Sequence, residues 1–251
     1  MAGGTVLVTG AARRLGRAIA LDLAGAGWNV AVHYNGSAGD AESCAAEARA
    51  KGVKAVALQA DLSREAETAT LVERASQALG PLTALVNSAS LFEEDDWQSA
   101  TRKSWDDHIE TNLRAPLVLS QAFAAQLPGG QDGAIVNLID QRVLKPTPQF
   151  LSYSLSKAGL YWLTTTLAQG MGPRIRVNAV GPGPTLRNAR QSEDDFARQR
   201  MATILERGAD PADICAALRY LLDAKAVTGQ MIAVDGGQHL AWRTPDVSVT
   251  E

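Results

Sequence analysis

The sequence predicts an α/β fold, in which one doubly wound domain over residues 1–251 carries a parallel sheet of about seven strands. Short apolar runs alternate along the chain with longer segments that have apolar residues at three-four spacing. The short runs are apolar almost throughout, which is typical of parallel strands buried on both faces. A chain of 251 residues with 46% hydrophobic residues can bury one sizeable core of this kind.

The elements are predicted in the order in which these patterns occur. Strands are expected at residues 5–8, 29–34, 54–59, 84–87, 134–139, 174–180 and 231–234. Helices are expected at residues 15–26, 41–51, 65–79 and 155–171, with another apolar helix near 109–123. A Gly-Pro-rich stretch then breaks the alternation, and the polar residues after it predict a substrate loop at 183–205. Ligands of doubly wound sheets bind outside the carboxyl ends of the strands, so functional residues are expected just after each strand.

Composition restricts the class of protein. The 24 Lys and Arg residues against 27 Asp and Glu give a net charge of -3, which argues against a broad nucleic-acid surface. Cys44 and Cys215 are far apart and lack metal-ligand spacing, so neither a disulfide framework nor a metal site is expected. No apolar stretch is long enough to span a membrane, and we expect a cytoplasmic protein.

A glycine-containing turn joins the first strand to the first helix. Gly10 permits a tight turn, Gly16 permits close helix-to-strand packing, and the helix N-terminus offers free N–H groups to a pyrophosphate. Arg14 replaces the usual middle glycine, and its guanidinium could grip a phosphate or a substrate lying beside it. An ordinary strand-to-helix turn is the alternative. The turn favours a Rossmann-type domain that holds a dinucleotide through Gly10, Arg13, Arg14, Leu15 and Gly16.

The end of the second strand indicates which dinucleotide binds. NAD enzymes place a carboxylate there on the ribose hydroxyl, but this chain has no acidic residue before Asp40. Arg13 offers a cation and Ser37 a hydroxyl to a 2′-phosphate, which favours NADPH; the alternative for Arg13 is a solvated surface charge. The cofactor contacts expected at this strand end are His33, Tyr34, Asn35 and Ser37.

Tyr153 and Lys157 form the candidate catalytic pair. Four-residue spacing on a helix puts both side chains on one face, where an ammonium can stabilise phenolate and lower the pKa of the tyrosine. Asp140 follows the fifth strand and could meet the phenol at the carboxyl end of the sheet. A Tyr-x-x-x-Lys spacing is common by chance, so its value here comes from its position after the fifth strand in a chain with a phosphate turn.

These residues resemble the short-chain dehydrogenases/reductases along nearly the whole chain. The similarity includes the motifs 9–10, 61–62, 87–90, 181–183 and 234–237, together with Asn112, Tyr153 and Lys157. The resemblance implies that Lys157 also binds the nicotinamide ribose and that Asn112 supports a proton-relay water. It adds to the cofactor contacts Asp61 and Leu62 beside adenine, and Asn87, Ser88, Ala89, Pro182 and Gly183.

Three departures from the common family pattern are similar to pteridine reductases. Arg14 and Ser90 stand where the family usually has glycine, and Asp140 stands where it usually has serine. The resemblance implies a pterin ring held between the nicotinamide and Phe92, contacted by Arg14 and Ser90, with Asp140 polarising Tyr153. Gly36 differs from that branch, which commonly has a basic residue there, so a 2′-phosphate would depend on Arg13 and Ser37.

The expected activity is NADPH-dependent reduction of a pterin, dihydropterin or folate, with Tyr153 as proton donor and Arg14, Ser90, Phe92, Asp140 and Tyr153 on the substrate. Reduction of a ketone or 3-oxoacyl thioester is the alternative, and a non-catalytic NADP-binding regulator is a third possibility, which the presence of Tyr153 and Lys157 argues against. Phe92 could instead only pack beneath its own loop. The resemblance also implies a homotetramer, through the helices near 109–123 and 155–167.

Overall fold

The computed structural model describes residues 3–244 of the chain. Seven strands form its sheet: β1 Thr5–Val8, β2 Asn29–Tyr34, β3 Ala55–Gln59, β4 Ala84–Asn87, β5 Gly133–Leu138, β6 Ile175–Pro182 and β7 Met231–Val234. Eight α-helices accompany them within these residues: α1 Arg14–Gly25, α2 Ala38–Ala50, α3 Glu65–Leu79, α4 Arg102–Ile109, α5 Ala115–Gln126, α6 Leu151–Met171, α7 Glu193–Met201 and α8 Pro211–Asp223.

The strands form one parallel sheet in the order β3-β2-β1-β4-β5-β6-β7. The chain winds outward from β1 to β3 on one side, then returns to β4 beside β1 and winds outward again. This reversal opens a crevice at the carboxyl ends of β1 and β4, the position where doubly wound sheets bind ligands. The predicted α/β fold with a seven-stranded parallel sheet is confirmed.

Both faces of the sheet are covered, so the strands are buried on two sides. In β1, Val6 and Val8 pack into the core beneath α1, α2 and α8, whereas Leu7 packs into the core on the opposite face. There Phe123 of α5 is fully buried against β5, and a Cβ added to Gly133 would lie 2.8 Å from its ring. Burying a side chain of this kind stabilises the fold by about 1.5–3 kcal/mol.

The structure differs from the predicted elements mainly in the second half of the chain. The single helix expected near 109–123 is two helices, α4 and α5, joined by one turn of π-helix at Glu110–Arg114. Thr101 and Ser104 form a capping box that fixes the start of α4. This start lies several residues before the apolar stretch from which the helix was predicted. Helix α8 was not anticipated, and α6 begins at Leu151 rather than residue 155. The segment 183–205 contains the short helix α7.

Between residues 3 and 244, no helix is long and apolar enough to cross a membrane. Over the same residues, no three His, Cys, Asp or Glu side chains converge as a metal would need. Cys44 and Cys215 are buried free thiols, and burial raises the pKa of each to about 11.

Candidate active site

The turn after β1 is built around a buried histidine. The backbone N–H of Gly10 donates to His33 Nδ1 at 3.0 Å, and His33 Nε2 lies 3.0 Å from the carbonyl oxygen of Ala60. Since Nδ1 must accept a hydrogen bond, the imidazole is neutral and Nε2 carries its proton. Burial lowers the pKa of His33 to about 4, which keeps that form at neutral pH. His33 thus ties the ends of β1 and β3 together, as a support beneath the cofactor turn.

Two glycines allow this turn to close. Gly10 has φ 64°, and a Cβ there would meet the Cα of Ala89 at 2.9 Å. A Cβ on Gly16 would lie 2.2 Å from the carbonyl oxygen of Gly10, which no side chain can tolerate. The first turn of α1 therefore packs directly on the backbone of the turn, as close approach to a pyrophosphate requires.

The N-terminus of α1 is open. Arg13 occupies the N-cap position, but its side chain does not cap the helix. It forms an ion pair with Asp40, in the first turn of α2. Ser37 stands at the N-cap of α2 with no side-chain capping bond. The Asp40 carboxylate, three residues later, holds the cation expected at a 2′-phosphate.

The Arg14 side chain contacts the segment 183–205, and its binding of a phosphate or a substrate stays a prediction. Its guanidinium donates to the carbonyl oxygens of Leu186 at 3.0 Å and Arg187 at 2.8 Å. Arg14 has φ 53°, a left-handed backbone that is uncommon for a side chain of this size. The guanidinium therefore joins the glycine turn to the segment 183–205.

The remaining predicted cofactor residues lie at the carboxyl ends of the strands. Thr9 Oγ1 accepts the backbone N–H groups of Ser88 and Ala89, at 2.9 Å each, which fixes the strand end after β4. A Cβ on Gly183 would lie 2.5 Å from Asp235, so Gly183 brings the chain after β6 close to β7. The other positions, in chain order, are half-buried Leu15, Tyr34 at the end of β2, exposed Asn35, Asp61 and buried Leu62 after β3, and Pro182 at the end of β6.

Asn87 offers an unused polar atom to this crevice. Its Nδ2 donates to Asn137 Oδ1 at 2.8 Å, while its buried Oδ1 has no partner among the described residues. A buried polar atom without a partner calls for a ligand or water. With the open N-terminus of α1 and the two close-packed glycines, this atom shows that the residues present fit a dinucleotide.

The tyrosine, the aspartate and the lysine meet beside this crevice. The Tyr153 hydroxyl donates to Asp140 Oδ2 at 2.8 Å, and Lys157 Nζ donates to the carbonyl oxygen of Leu138 at 2.9 Å. Lys157 Nζ lies 5.9 Å from the centroid of the Tyr153 ring. All three side chains therefore lie where β5 ends and α6 begins.

Burial dominates the protonation of this group. Burial raises the pKa of Asp140. It also raises the pKa of Tyr153 well above its ordinary value, and the Asp140 charge raises the Tyr153 pKa further. Burial lowers the pKa of Lys157 to about 8. Burial and the carboxylate therefore outweigh any lowering of the Tyr153 pKa by Lys157, whose effect on the tyrosine stays a prediction.

Phe92 lies against the catalytic tyrosine. Its ring meets Tyr153 edge-on with centroids 4.6 Å apart, and Phe150 stacks on it at 4.3 Å. Arg190, from the substrate loop 183–205, donates to the Phe92 carbonyl at 2.7 Å and pairs with Glu93 at 2.8 Å, while its guanidinium lies 5.2 Å from the Phe92 ring. Ser90 is exposed, and its hydroxyl donates to the carbonyl oxygen of Leu91.

Asn112 lies in the π-helical turn and is fully committed to the protein. Its Oδ1 accepts the Leu91 N–H at 2.8 Å, and its Nδ2 donates to the Leu91 carbonyl and to Ser156 Oγ. The side chain therefore anchors the residue before Phe92. Both side-chain amide hydrogens are used within the protein, and the role of Asn112 in a proton relay stays a prediction.

Sequence reasoning missed Phe150 and Arg190. Phe150 precedes α6 in a left-handed conformation, with φ 57° and ψ 51°, which no pattern in the sequence indicates. Arg190 lies in an irregular loop, where periodicity carries no information about direction. Only its position within the predicted substrate loop could have drawn attention to it.

The fold and the site together define a dinucleotide-dependent oxidoreductase. A family model for short chain dehydrogenases matches residues 4–197, and the chain belongs to that family. The chain is 36% identical over 241 residues to a 3-oxoacyl-[acyl-carrier-protein] reductase of Staphylococcus epidermidis, covering 94% of this chain and 99% of the relative.

Solved structures give a second set of similar proteins. An alternative dihydrofolate reductase, FolM, from Brucella canis, complexed with NADP, has a TM-score of 0.93 and 46% identity, covering 99% of both chains. The corresponding protein from Brucella suis, also with NADP, has a TM-score of 0.94 and 48% identity over 98% of both chains. An angucycline ketoreductase with bound NADP has a TM-score of 0.87 at 30% identity, covering 94% of this chain and 96% of that one.

Proposed function

We propose that this protein is an NADPH-dependent reductase of a pterin, dihydropterin or folate, in which Tyr153 donates the proton. The observation that carries the proposal is the contact of Tyr153 with Asp140 on one side and with the Phe92 ring on the other. An acid beside an aromatic plate suits a flat heteroaromatic substrate. The similarity to the two FolM structures supports the same substrate class.

The cofactor is NADPH, which supplies a hydride when bound; a C=N bond of the substrate ring would accept it. The glycine turn and the N-terminus of α1 hold the pyrophosphate, and Asn87 Oδ1 offers an acceptor along the cofactor. Arg13 and Ser37 bind the 2′-phosphate, which Arg13 reaches by leaving Asp40. NADP is the dinucleotide in the FolM and ketoreductase structures.

The proton comes from the pair formed by Tyr153 and Asp140. Burial raises the pKa of Tyr153 well above its ordinary value, so the phenol keeps its proton at neutral pH until the substrate takes it. Asp140 orients the phenol, because its Oδ2 accepts the hydrogen bond from the Tyr153 hydroxyl. Lys157, held by the Leu138 carbonyl, binds the nicotinamide ribose and carries the only ammonium near the pair among the described residues.

The substrate ring stacks on Phe92, with Ser90 and Arg14 at its edges. Phe150 covers one face of Phe92, so the ring uses the other face or displaces Phe150. Arg14 and Arg190 connect the substrate loop 183–205 to the two walls of the site, at the phosphate turn and at Phe92. Closure of this loop over the substrate would exclude water.

The second candidate activity is reduction of a 3-oxoacyl thioester or another ketone. The Staphylococcus epidermidis relative favours it, and the Tyr153–Lys157 pair alone would suffice for such a carbonyl. Asp140 and Phe92 would then have no assigned task. A non-catalytic NADP-binding regulator has the least support, because it would have no use for the buried tyrosine and lysine.

The test is a panel of NADPH-oxidation assays. It contains dihydrobiopterin, dihydromonapterin, dihydrofolate, an acetoacetyl thioester and simple ketones, each with the wild type, Phe92→Ala and Phe92→Leu. We expect kcat/KM to be highest for a dihydropterin or dihydrofolate. Loss of a stacking contact worth about 0.5–1.5 kcal/mol should raise KM for that substrate by up to about tenfold in both variants.

Phe92→Leu is the matched variant, because it keeps apolar volume and removes only the aromatic face. NADPH affinity should change little in either variant. A highest kcat/KM for the thioester would replace the proposal with the second candidate. Equal losses for pterin and ketone substrates would remove Phe92 from the substrate site.

We also propose a homotetramer, built in part through α5 and α6. Trp162 has 72% of its surface exposed beside an apolar hollow of about 390 Å³ lined by residues of the π-helical turn, α5 and α6, including Leu113, Leu117 and Leu163. A large apolar surface of this kind favours burial against another protein surface. Sedimentation of the wild type and of Trp162→Asp tests this; a wild-type monomer would contradict it.

A further inference from the structure

A buried hydrogen-bonded network joins the loop 91–96 to the start of α6. Asp95 is 3% exposed, and His108 and Ser152 are fully buried. Ser152 donates its hydroxyl and its backbone N–H to the two carboxylate oxygens of Asp95. His108 Nδ1 lies 2.7 Å from Ser152 Oγ, and His108 Nε2 accepts the backbone N–H of Glu93 at 3.1 Å. The proposed reaction uses none of these three side chains.

The direction of each hydrogen bond in the network is fixed. A backbone N–H can only donate, so His108 Nε2 carries no proton and Nδ1 does. His108 Nδ1–H therefore donates to Ser152 Oγ, which leaves the serine proton for Asp95. Ser104 adds a further hydroxyl to the same carboxylate at 2.9 Å. Hydrogen bonds from Ser152 and Ser104 hold the pKa of Asp95 below its ordinary value although burial opposes this, so Asp95 is the charged anchor of the network.

Serine, histidine and aspartate also form the catalytic triads of hydrolases, but the order of the hydrogen bonds in this network excludes a nucleophilic serine. In a triad the histidine lies between the serine and the carboxylate and takes the serine proton. In this network the serine lies between the histidine and the carboxylate, and its hydroxyl donates a hydrogen bond to Asp95. Ser152 is also fully buried. The network holds structure in place.

The network and Asn112 together hold the backbone on either side of Phe92. Asn112 binds both backbone groups of Leu91, and His108 binds the N–H of Glu93. At the other end, the N–H of Leu151 donates to the Asp95 carbonyl at 3.0 Å. The loop has no helix or strand of its own, yet these bonds fix it against the helix that carries Tyr153.

We propose that Asp95, His108 and Ser152 are positioning residues that set the distance between Phe92 and Tyr153, and so adapt the site to flat-ring substrates. This inference rests on the proposed function, because it takes Phe92 as the substrate platform. Tyr153 is held within the 21-residue helix α6 and by its hydrogen bond to Asp140, and His108 meets it only as a ring edge with centroids 6.1 Å apart. Breaking the network should therefore displace Phe92 more than Tyr153.

The test compares Ser152→Ala with Ser152→Thr and Ser154→Ala in the full-length protein. Ser152→Ala removes the central hydroxyl, and Ser152→Thr restores one. Ser154→Ala is the matched control, because Ser154 Oγ is buried on the same helix without a partner among the described residues. Hydrogen exchange by mass spectrometry reports on the loop 91–96. Steady-state kinetics with a dihydropterin report on Phe92 and Tyr153 together, and kinetics with a ketone report on Tyr153.

In Ser152→Ala, exchange of a peptide over residues 91–96 should rise about tenfold, the scale of one lost hydrogen bond, while α6 stays protected. KM for the dihydropterin should rise about tenfold, with ketone kcat and NADPH affinity within about twofold of the wild type. Ser152→Thr should recover most of the loss, and Ser154→Ala should behave as the wild type.

Unchanged exchange in the loop would overturn the inference, and so would increased exchange with unchanged dihydropterin kinetics. Equal losses for the dihydropterin and the ketone, tracking a lower Tm, would reduce the network to a purely structural role and also overturn it. A wild type that reduces no dihydropterin would instead refute the proposed function. The exchange experiment distinguishes these failures, because it needs no substrate.

Discussion

His33 should make the stability of this protein depend on pH in a way that one substitution removes. Burial lowers the pKa of His33 from 6.5 to about 4, and the neutral imidazole is the form that accepts the Gly10 N–H in the folded chain. Between these two pH values the unfolded chain binds one proton more than the folded chain. The stabilisation is therefore complete above pH 6.5 and is lost as the pH falls toward 4.

The size of the loss follows from the two pKa values. Each pH unit in this interval changes the free energy of unfolding by about 1.4 kcal/mol, so the whole interval amounts to about 3 kcal/mol. His33→Asn is the informative change, since its amide oxygen can still accept from Gly10 and it does not titrate. At pH 8 the variant should be less stable by about 1 kcal/mol, the value of the bond to Ala60. Near pH 4 the order should reverse.

Urea unfolding followed by tryptophan fluorescence at several pH values measures the difference between the two proteins. Other titrating groups occur in both and cancel. His239→Asn is the control for loss of an imidazole elsewhere in the chain, because His239 contacts Asp235 and not the turn after β1. Parallel stability curves for wild type and His33→Asn would refute the reasoning, since they would mean that the folded chain accommodates a charged His33.

Three further substitutions test the site. Tyr153→Phe should lower turnover by about a hundredfold or more with NADPH affinity preserved, the scale of general acid catalysis; near-normal turnover would assign the proton to Asp140 or water. Arg13→Ala should weaken NADPH far more than NADH in fluorescence titrations, and equal losses would exclude Arg13 from the 2′-phosphate. Gly16→Ala should lower NADPH affinity and Tm, because its Cβ would lie 2.2 Å from the Gly10 carbonyl oxygen. The control Gly25→Ala, with no atom within 4 Å, should stabilise α1 by about 0.5–1 kcal/mol, and similar behaviour of the two variants would contradict the packing argument.

Most of the sheet could be predicted because its strands are short, buried and separated by regular helices. Four of the seven strand ranges agree with the structure residue for residue, since apolar runs end where the backbone leaves the core. The helix near 109–123 was predicted as one element because the π-helical turn Glu110–Arg114 contains no Gly or Pro that would mark the change of helix type. Helix α8 begins at a Pro after a polar loop and was missed altogether.

Within the site, position at the strand ends indicated which residues are functional candidates, but not which residues they contact. Sequence position placed Asp140 and Tyr153 together, and the structure shows them hydrogen-bonded. It could not show that Asp40 binds Arg13, or that Arg14 turns toward Leu186, since both contacts join segments that are distant in the chain or irregular. The roles of these residues in cofactor and substrate binding stay predictions.

The left-handed backbone of Phe150 bears on how this protein would respond to selection. Holding a large side chain at φ 57° costs about 1–2 kcal/mol relative to a conformation that glycine adopts freely. Selection for heat resistance alone should therefore favour Gly or Asn at this position. Since the same residue supplies the ring stacked on Phe92, such thermostable descendants should accept a broader range of substrates than their parent.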